Sequence, residues 1–214
     1  MNRIGRREFI EGLMAAGAGV AFGAKLEAAA DPNAKASLTE AERRKEKEEA
    51  LKVVEPSVAK LRQQFGLKDQ DLAIIVDPNR QALHVVQNGD ILKSYAISTA
   101  KKGMGITINS EQTPWGAHRI GDKVGQNLAE GARVKPGMTT RILKLNGLEP
   151  GVNKGGVNDS ASRGIYIHGT PAEKDIGKPA SHGCVRMKNH DVAELFNLVP
   201  SGTLVEIQQL VNQD

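Results

Sequence analysis

Apolar residues recur at spacings of three and four through Leu51, Val54, Val58, Leu61 and Phe65. That period predicts a helix with one buried stripe. Residues 38–50 before it are almost all charged, with opposite-charge pairs four apart at Glu40/Arg44 and Lys45/Glu49, and predict a solvated helix or stalk. Ser37-Leu38-Thr39-Glu40 matches a capping box and starts the helix at Leu38. Pro56 lacks an N–H and predicts a kink or two short helices, and Gly66 closes the segment. The stripe points to docking on a domain or a partner helix; a spacer to a surface is the alternative.

From Leu67 onward the pattern becomes that of short strands. Residues 72–76 form a buried apolar run, ended by the turn at Asp77-Pro78-Asn79. Residues 81–86 and 91–99 flank Asn88-Gly89, a hairpin signal because both residues tolerate positive φ. Further strands are predicted at 115–120, 141–145, 164–168 and 202–208. One helix interrupts them: Val192, Leu195, Phe196 and Val199 share a face, Asn189 is its candidate cap, and Pro200 follows. Many short strands with little helix predict a mainly β fold, a sandwich or barrel. Residues 121–163, rich in Gly, Asn and Lys around one strand, read as a lid or binding loop.

The first thirty residues do not fit that fold. Arg6-Arg7-Glu8-Phe9-Ile10 precedes a Gly/Ala-rich run over 12–24, and Ala28-Ala29-Ala30 offers a small-residue cleavage pattern before Asp31. This order predicts a twin-arginine export signal. The run would span roughly 20 Å as a helix, short for a bilayer core. The expected organisation is an export signal at 1–30, a charged helical lead-in at 31–66 and a catalytic domain at 67–214. The mature chain is then expected in the periplasm or cell envelope, without a stable membrane span.

Composition narrows the chemistry. The 214 residues hold one cysteine, which excludes an internal disulfide framework and any multi-cysteine metal cluster. The 29 basic and 25 acidic residues nearly balance, which argues against a dedicated nucleic-acid binder. The cysteine lies in Ser181-His182-Gly183-Cys184-Val185-Arg186-Met187, a glycine-flanked turn and not an apolar run. A histidine, a cation and oriented backbone amides are what a thiol needs to become a nucleophile, and His168, His182 and Arg186 supply the first two. A metal site built from Cys184, His182, His168 and His190 is the competing reading. His84, His118 and His190 otherwise read as strand or surface positions without chemistry.

The run His168-Gly169-Thr170, Ile176-Gly177, then Ala180-Ser181-His182-Gly183-Cys184-Val185-Arg186-Met187 resembles the signature of bacterial L,D-transpeptidases of the YkuD type. Thr113-Pro114-Trp115-Gly116, Asn189-x-Asp191 and Val199-Pro200-x-Gly202-Thr203 add to the likeness, which extends over about 70–208. Trp115-Gly116-Ala117-His118 departs from the family's usual pattern, and the departure bears on strand packing. The resemblance implies Cys184 as acylating nucleophile and His168 as its base, oriented by the carbonyl of Gly169. It further implies that Ser181, His182 and Gly183 shape the turn, with N–H groups near Gly183 and Cys184 as oxyanion hole. Arg186 would order the loop or meet a peptide carboxylate.

The implied activity acts on peptidoglycan tetrapeptide stems through a thioester, without cofactor or metal. It yields 3→3 cross-links or attaches a wall-anchored protein as acceptor. An L,D-carboxypeptidase using water, or a non-catalytic wall-binding module, are the alternatives.

Overall fold

Nine strands and two helices account for most of residues 39–210, the part of the chain that the computed structural model describes. The export signal at 1–30, and Ser37 and Leu38 of the capping box, lie outside the described residues. Helix α1 is Glu40–Phe65. The strands are β1 (Leu72–Asp77), β2 (Ala82–Gln87), β3 (Asp90–Ser98), β4 (Gly116–Val124), β5 (Arg133–Lys135) and β6 (Met138–Gly147). They continue with β7 (Tyr166–Gly169), β8 (Val185–Met187), helix α2 (Asn189–Leu198) and β9 (Leu204–Ile207).

The sheet order is β4-β9-β1-β2-β3-β8-β7-β6-β5, and β4 also pairs with β6. That extra pairing joins the two ends of the sheet, so eight strands close into a ring and β5 hangs from β6 as a hairpin arm. The mainly β barrel expected from the strand pattern is what the chain forms. Most neighbours are antiparallel; β1–β9 and β7–β8 are parallel. The β2–β3 hairpin turns at Asn88 (φ 53) and Gly89 (φ 81), the double positive φ that Asn-Gly supplies at little steric cost. β5 and β6 are joined by Pro136-Gly137, with φ 72 at Gly137, a turn that suits proline followed by glycine.

Strand β1 is buried on both faces, which explains its unbroken apolar run. Ile74 and Val76 join the core that α2 fills with Val192, Leu195 and Phe196. Ala73 and Ile75 face the other way, onto a second core shared with Val54, Val58 and Leu61 of α1. Helix α1 therefore lies on the outer face of β1, β9 and β4. The expected break at Pro56 is absent, and the 26 residues run as one helix. Pro56 and Lys52, whose carbonyl loses its partner, both sit on the exposed side, so that carbonyl is on the solvent side of the helix and the buried stripe stays whole. Lys60 bridges the carboxylates of Glu149 and Glu206 at 2.7 Å each, tying α1 to the barrel. Burial raises the Glu206 carboxyl to about 7, although Lys60 pulls against that shift.

Two of these expectations need correction. Asn189 does not cap α2: the cap position is Lys188, and Asn189 is the first helical residue, its side chain spent elsewhere. Strands β5 and β8 stand where no strand was expected. Within residues 121–163 the end of β4, β5 and β6 are strands, and 125–132 and 148–163 are connections between them.

Candidate active site

Strands β7 and β8 run parallel with Ile167 opposite Val185, His168 opposite Arg186 and Gly169 opposite Met187. Side chains alternate across a strand, and paired residues share a face. Ile165, Ile167, Val185 and Met187 enter the core. Tyr166, His168, Cys184 and Arg186 therefore take the opposite face, with Cys184 diagonal to His168. Residues fifteen or more apart in the chain converge because two short strands pair in this register.

His168 is 2 % exposed, and its Nδ1 lies 2.7 Å from the Gly169 carbonyl oxygen. A carbonyl only accepts, so Nδ1 carries the proton and Nε2 presents a lone pair. Burial lowers the imidazole to about 4; the Gly169 hydrogen bond opposes that shift and the Arg186 charge adds to it. Near neutral pH the ring is an uncharged base in a fixed tautomer.

The Cys184 thiol donates to the Gly164 carbonyl at 3.4 Å. Burial pushes it above the ordinary thiol range, while the Tyr166 backbone and the charges of Arg186 and Lys135 pull it down. The resting pair is thus a thiol and a neutral imidazole. Ser181, 1 % exposed, holds the turn: its hydroxyl donates to the Cys184 carbonyl at 2.5 Å and accepts the Gly183 N–H at 3.1 Å. Gly183 has φ +129, and a Cβ there would stand 3.3 Å from Ile165 Cδ1, so the turn calls for glycine. Its N–H is already engaged by Ser181. His182 is exposed beside the turn. Arg186 Nη1 donates to the Ala180 carbonyl at 3.1 Å, ordering the approach to the cysteine.

Several supports escape sequence reading. Asn189 is a buried hub: its Oδ1 accepts the Thr139 and Thr140 hydroxyls at 2.6 and 2.7 Å, and its Nδ2 donates to Thr170 O and Glu173 Oε1. Gly169 must lack a Cβ, which would lie 2.5 Å from Thr139 O and 2.6 Å from Asn189 Oδ1. Thr140 is a fully buried β-branched residue at φ 64, inside the register slip between Thr139 and Ile142. Such a conformation costs on the order of 1–3 kcal/mol and persists because its surroundings hold it. Arg163 pins the loop before β4 by donating to the carbonyls of Ile106 and Gln112. Among these, Tyr166 was within reach of sequence: it stands two residues before His168 on the same strand, hence on the same face.

His118 is buried in β4 between Gly116 O and Ser160 Oγ, each 2.9 Å away, and serves as a clamp on the loop before β7. His190 is exposed, 3.9 Å from Glu130. Among the described residues no three His, Cys, Asp or Glu side chains gather as a metal site, and no helix is long and apolar enough to cross a membrane.

The family model YkuD, L,D-transpeptidase catalytic domain, matches residues 71–207. The protein named L,D-transpeptidase YqjB of Bacillus subtilis (strain 168) is 29% identical over 138 residues, 64% of this chain and 71% of that one. The protein named L,D-transpeptidase YkuD of Bacillus licheniformis is 56% identical over 41 residues, 19% of this chain and 25% of its own. The match thus spans about a quarter of the length of that relative. Among solved structures, an L,D-transpeptidase from Mycobacterium smegmatis aligns with a TM-score of 0.46 at 16% identity, over 64% of this chain and 58% of that chain.

Proposed function

The chain belongs to the YkuD family of L,D-transpeptidase catalytic domains, and from that premise we propose that it is a cell-envelope acyltransferase acting on peptidoglycan tetrapeptide stems through Cys184. The observation that supports this reading is the uncharged His168, pinned on Gly169 in a strand whose parallel neighbour β8 follows directly on Cys184.

In the first half-reaction Nε2 of His168 takes the Sγ proton as sulfur attacks the carbonyl at the L-centre of the third stem residue. The new S–C bond makes a tetrahedral oxyanion, which the Cys184 N–H stabilises. The C–N bond then breaks, the Nε2 proton passes to the departing amine of the terminal D-residue, and a thioester remains. In the second half-reaction an acceptor amine loses its proton to Nε2 and forms the amide. The thiolate leaves and recovers that proton. The acceptor is the side-chain amine of another stem's third residue or of a wall-anchored protein. The chemistry needs no metal or cofactor, because imidazole, thiol and backbone amide suffice. Export by the signal at 1–30 brings the catalytic domain to this substrate, with 31–66 as its lead-in.

The test is incubation of the purified chain with a disaccharide tetrapeptide. Release of the terminal D-amino acid and an acyl adduct on Cys184 by mass spectrometry are expected. A Cys184→Ala protein that keeps full activity overturns the reading.

A further inference from the structure

Two positive charges bear on the Cys184 thiol: Arg186 and Lys135. They differ in what else they do. Arg186 spends a guanidinium N–H on the Ala180 carbonyl and belongs to the turn. Lys135 comes from the other side, at the end of β5, and sets its ammonium 5.1 Å from the centre of the Tyr166 ring. Tyr166 is the residue level with Cys184 across the β7–β8 register. Lys135 is exposed, and among the described residues no carboxylate forms an ion pair with it. The arm that carries Lys135 is stiffened by the Pro136-Gly137 turn and by the Thr140 bulge at its base, whose hydroxyl accepts the Gly131 N–H. A cation is thus held over an aromatic face on the strand next to the one that follows Cys184, and among the described residues no carboxylate is paired with it.

We propose that Lys135 is the specificity-determining cation of this site and binds the free α-carboxylate of the leaving D-residue. This rests on the reading of Cys184 as the acylating thiol. In a tetrapeptide donor that carboxylate lies one residue beyond the carbonyl under attack. In a pentapeptide it is displaced by about 3.3–3.6 Å of extended chain. A cation fixed on the Tyr166 face therefore measures how far the chain end lies from the bond to be cut, and favours a donor with one leaving residue. The Tyr166 ring supports the ammonium and excludes water from one side, which strengthens the pairing relative to an open surface.

The experiment compares the full chain with Lys135→Gln and Lys135→Arg. Donors are a tetrapeptide stem with a free C-terminus, its C-terminal amide, and the pentapeptide. For Lys135→Gln, KM for the free acid is expected to rise about tenfold with kcat little changed, the scale of one charge-assisted hydrogen bond. The amide donor should show no such rise, the tetrapeptide-over-pentapeptide preference should shrink, and Lys135→Arg should restore much of the selectivity. An equal effect on acid and amide, or no effect on either, overturns the proposal.

A second readout does not depend on peptide turnover: the rate ratio of alkylation at Cys184, the chain's one thiol, by iodoacetate and by iodoacetamide. Any change in thiol ionisation affects both reagents alike, so the ratio isolates attraction of the carboxylate. Lys135→Gln should lower it several-fold, and an unchanged ratio overturns the carboxylate site. A lowered ratio with no peptide turnover by the unmodified chain upholds the carboxylate site and overturns the transpeptidase reading instead.

Discussion

Nδ1 of His168 is 2.7 Å from the carbonyl oxygen of Gly169, the next residue in its own strand. The contact fixes the tautomer without a carboxylate, and burial holds the ring uncharged down to about pH 4. Because base catalysis needs the unprotonated ring, kcat/KM should hold as pH falls through 6.5 and drop only near 4. The thiol, raised by burial, should stay protonated at neutral pH. The pH profile of acylation, with thiolate absorbance near 240 nm, checks both. A drop centred near 6.5 would contradict the buried-imidazole account.

Stability should follow pH through His118 as well. Burial sets its folded value at about 4, against 6.5 for the free side chain. The unfolded chain therefore binds more protons between those values. The stabilisation is complete above 6.5 and is lost as pH falls toward 4, by about 3 kcal/mol for a shift of this size. Urea unfolding across this window should steepen accordingly, and His118→Gln should flatten the slope while lowering stability at pH 7.

Lys60→Met should unfold more easily at pH 8 than at pH 5.5. It strands the carboxylates of Glu149 and Glu206, both held by Lys60 in the native protein. Glu206 titrates at about 7 even with Lys60 pulling it down, so without Lys60 it readily takes a proton at pH 5.5 and relieves the unpaired charge, and does so less completely at pH 8. Removing one partner of a buried pair costs about 3–5 kcal/mol when the charge remains. Melting temperatures at the two pH values give the comparison. An equal loss at both would show that Glu206 does not carry the effect.

Asn189→Leu should cost about 3 kcal/mol or more, because the buried Thr139 hydroxyl and the Thr170 carbonyl lose the partners Asn189 gives them and the Thr140 hydroxyl, though it keeps the Gly131 N–H, loses its acceptor. Activity should fall beyond what the stability loss explains, since Gly169, which orients His168, packs 2.6 Å (as a virtual Cβ) from the same amide. Urea unfolding and turnover at a temperature where the variant is fully folded separate the two effects.

Ser181→Ala removes both the hydroxyl donor to Cys184 O and the acceptor for Gly183 N–H. The backbone at φ +129 then loses its tether. A stability loss of about 1–3 kcal/mol is expected, with kcat reduced more than KM is raised. Steady-state kinetics at saturating donor read this directly.

How much of this was legible along the chain depends on where each element gets its stability. The β2–β3 hairpin is local: Asn88-Gly89 carries the turn and the flanking alternation carries the strands. The stripe Val54, Val58, Leu61 likewise marks the buried face of α1, although Pro56 misleads until its exposed position is known. β8 has three residues and no pattern of its own; pairing with β7 and β3 makes it a strand. That His168 and Cys184 belong to neighbouring segments was expected from the family likeness, which stands in for that missing register. Asn189 is the opposite case. Its local context suits a helix cap, and Thr139 and Thr140, far away in sequence, together with Thr170 and Glu173, draw its side chain inward. Lys135 gives no local signal at all, since its place over Tyr166 depends on the hairpin arm folding back onto β7.

β9 lies between β1 and β4 in the closed sheet, with Ala73 beside Leu204 and Gly116 beside Ile207. Spatial order and order of synthesis therefore diverge. The ribosome releases β1 through β8 while the gap between β1 and β4 is still open. Both flanking strands present unpaired edges until residues 204–207 emerge and fill the slot. The strand that fills this slot is the last of the described strands, and a chain in which it is not yet in place leaves the facing edges of β1 and β4 open to pairing with another copy. In such a chain a chaperone that covers an exposed strand edge would have its substrate.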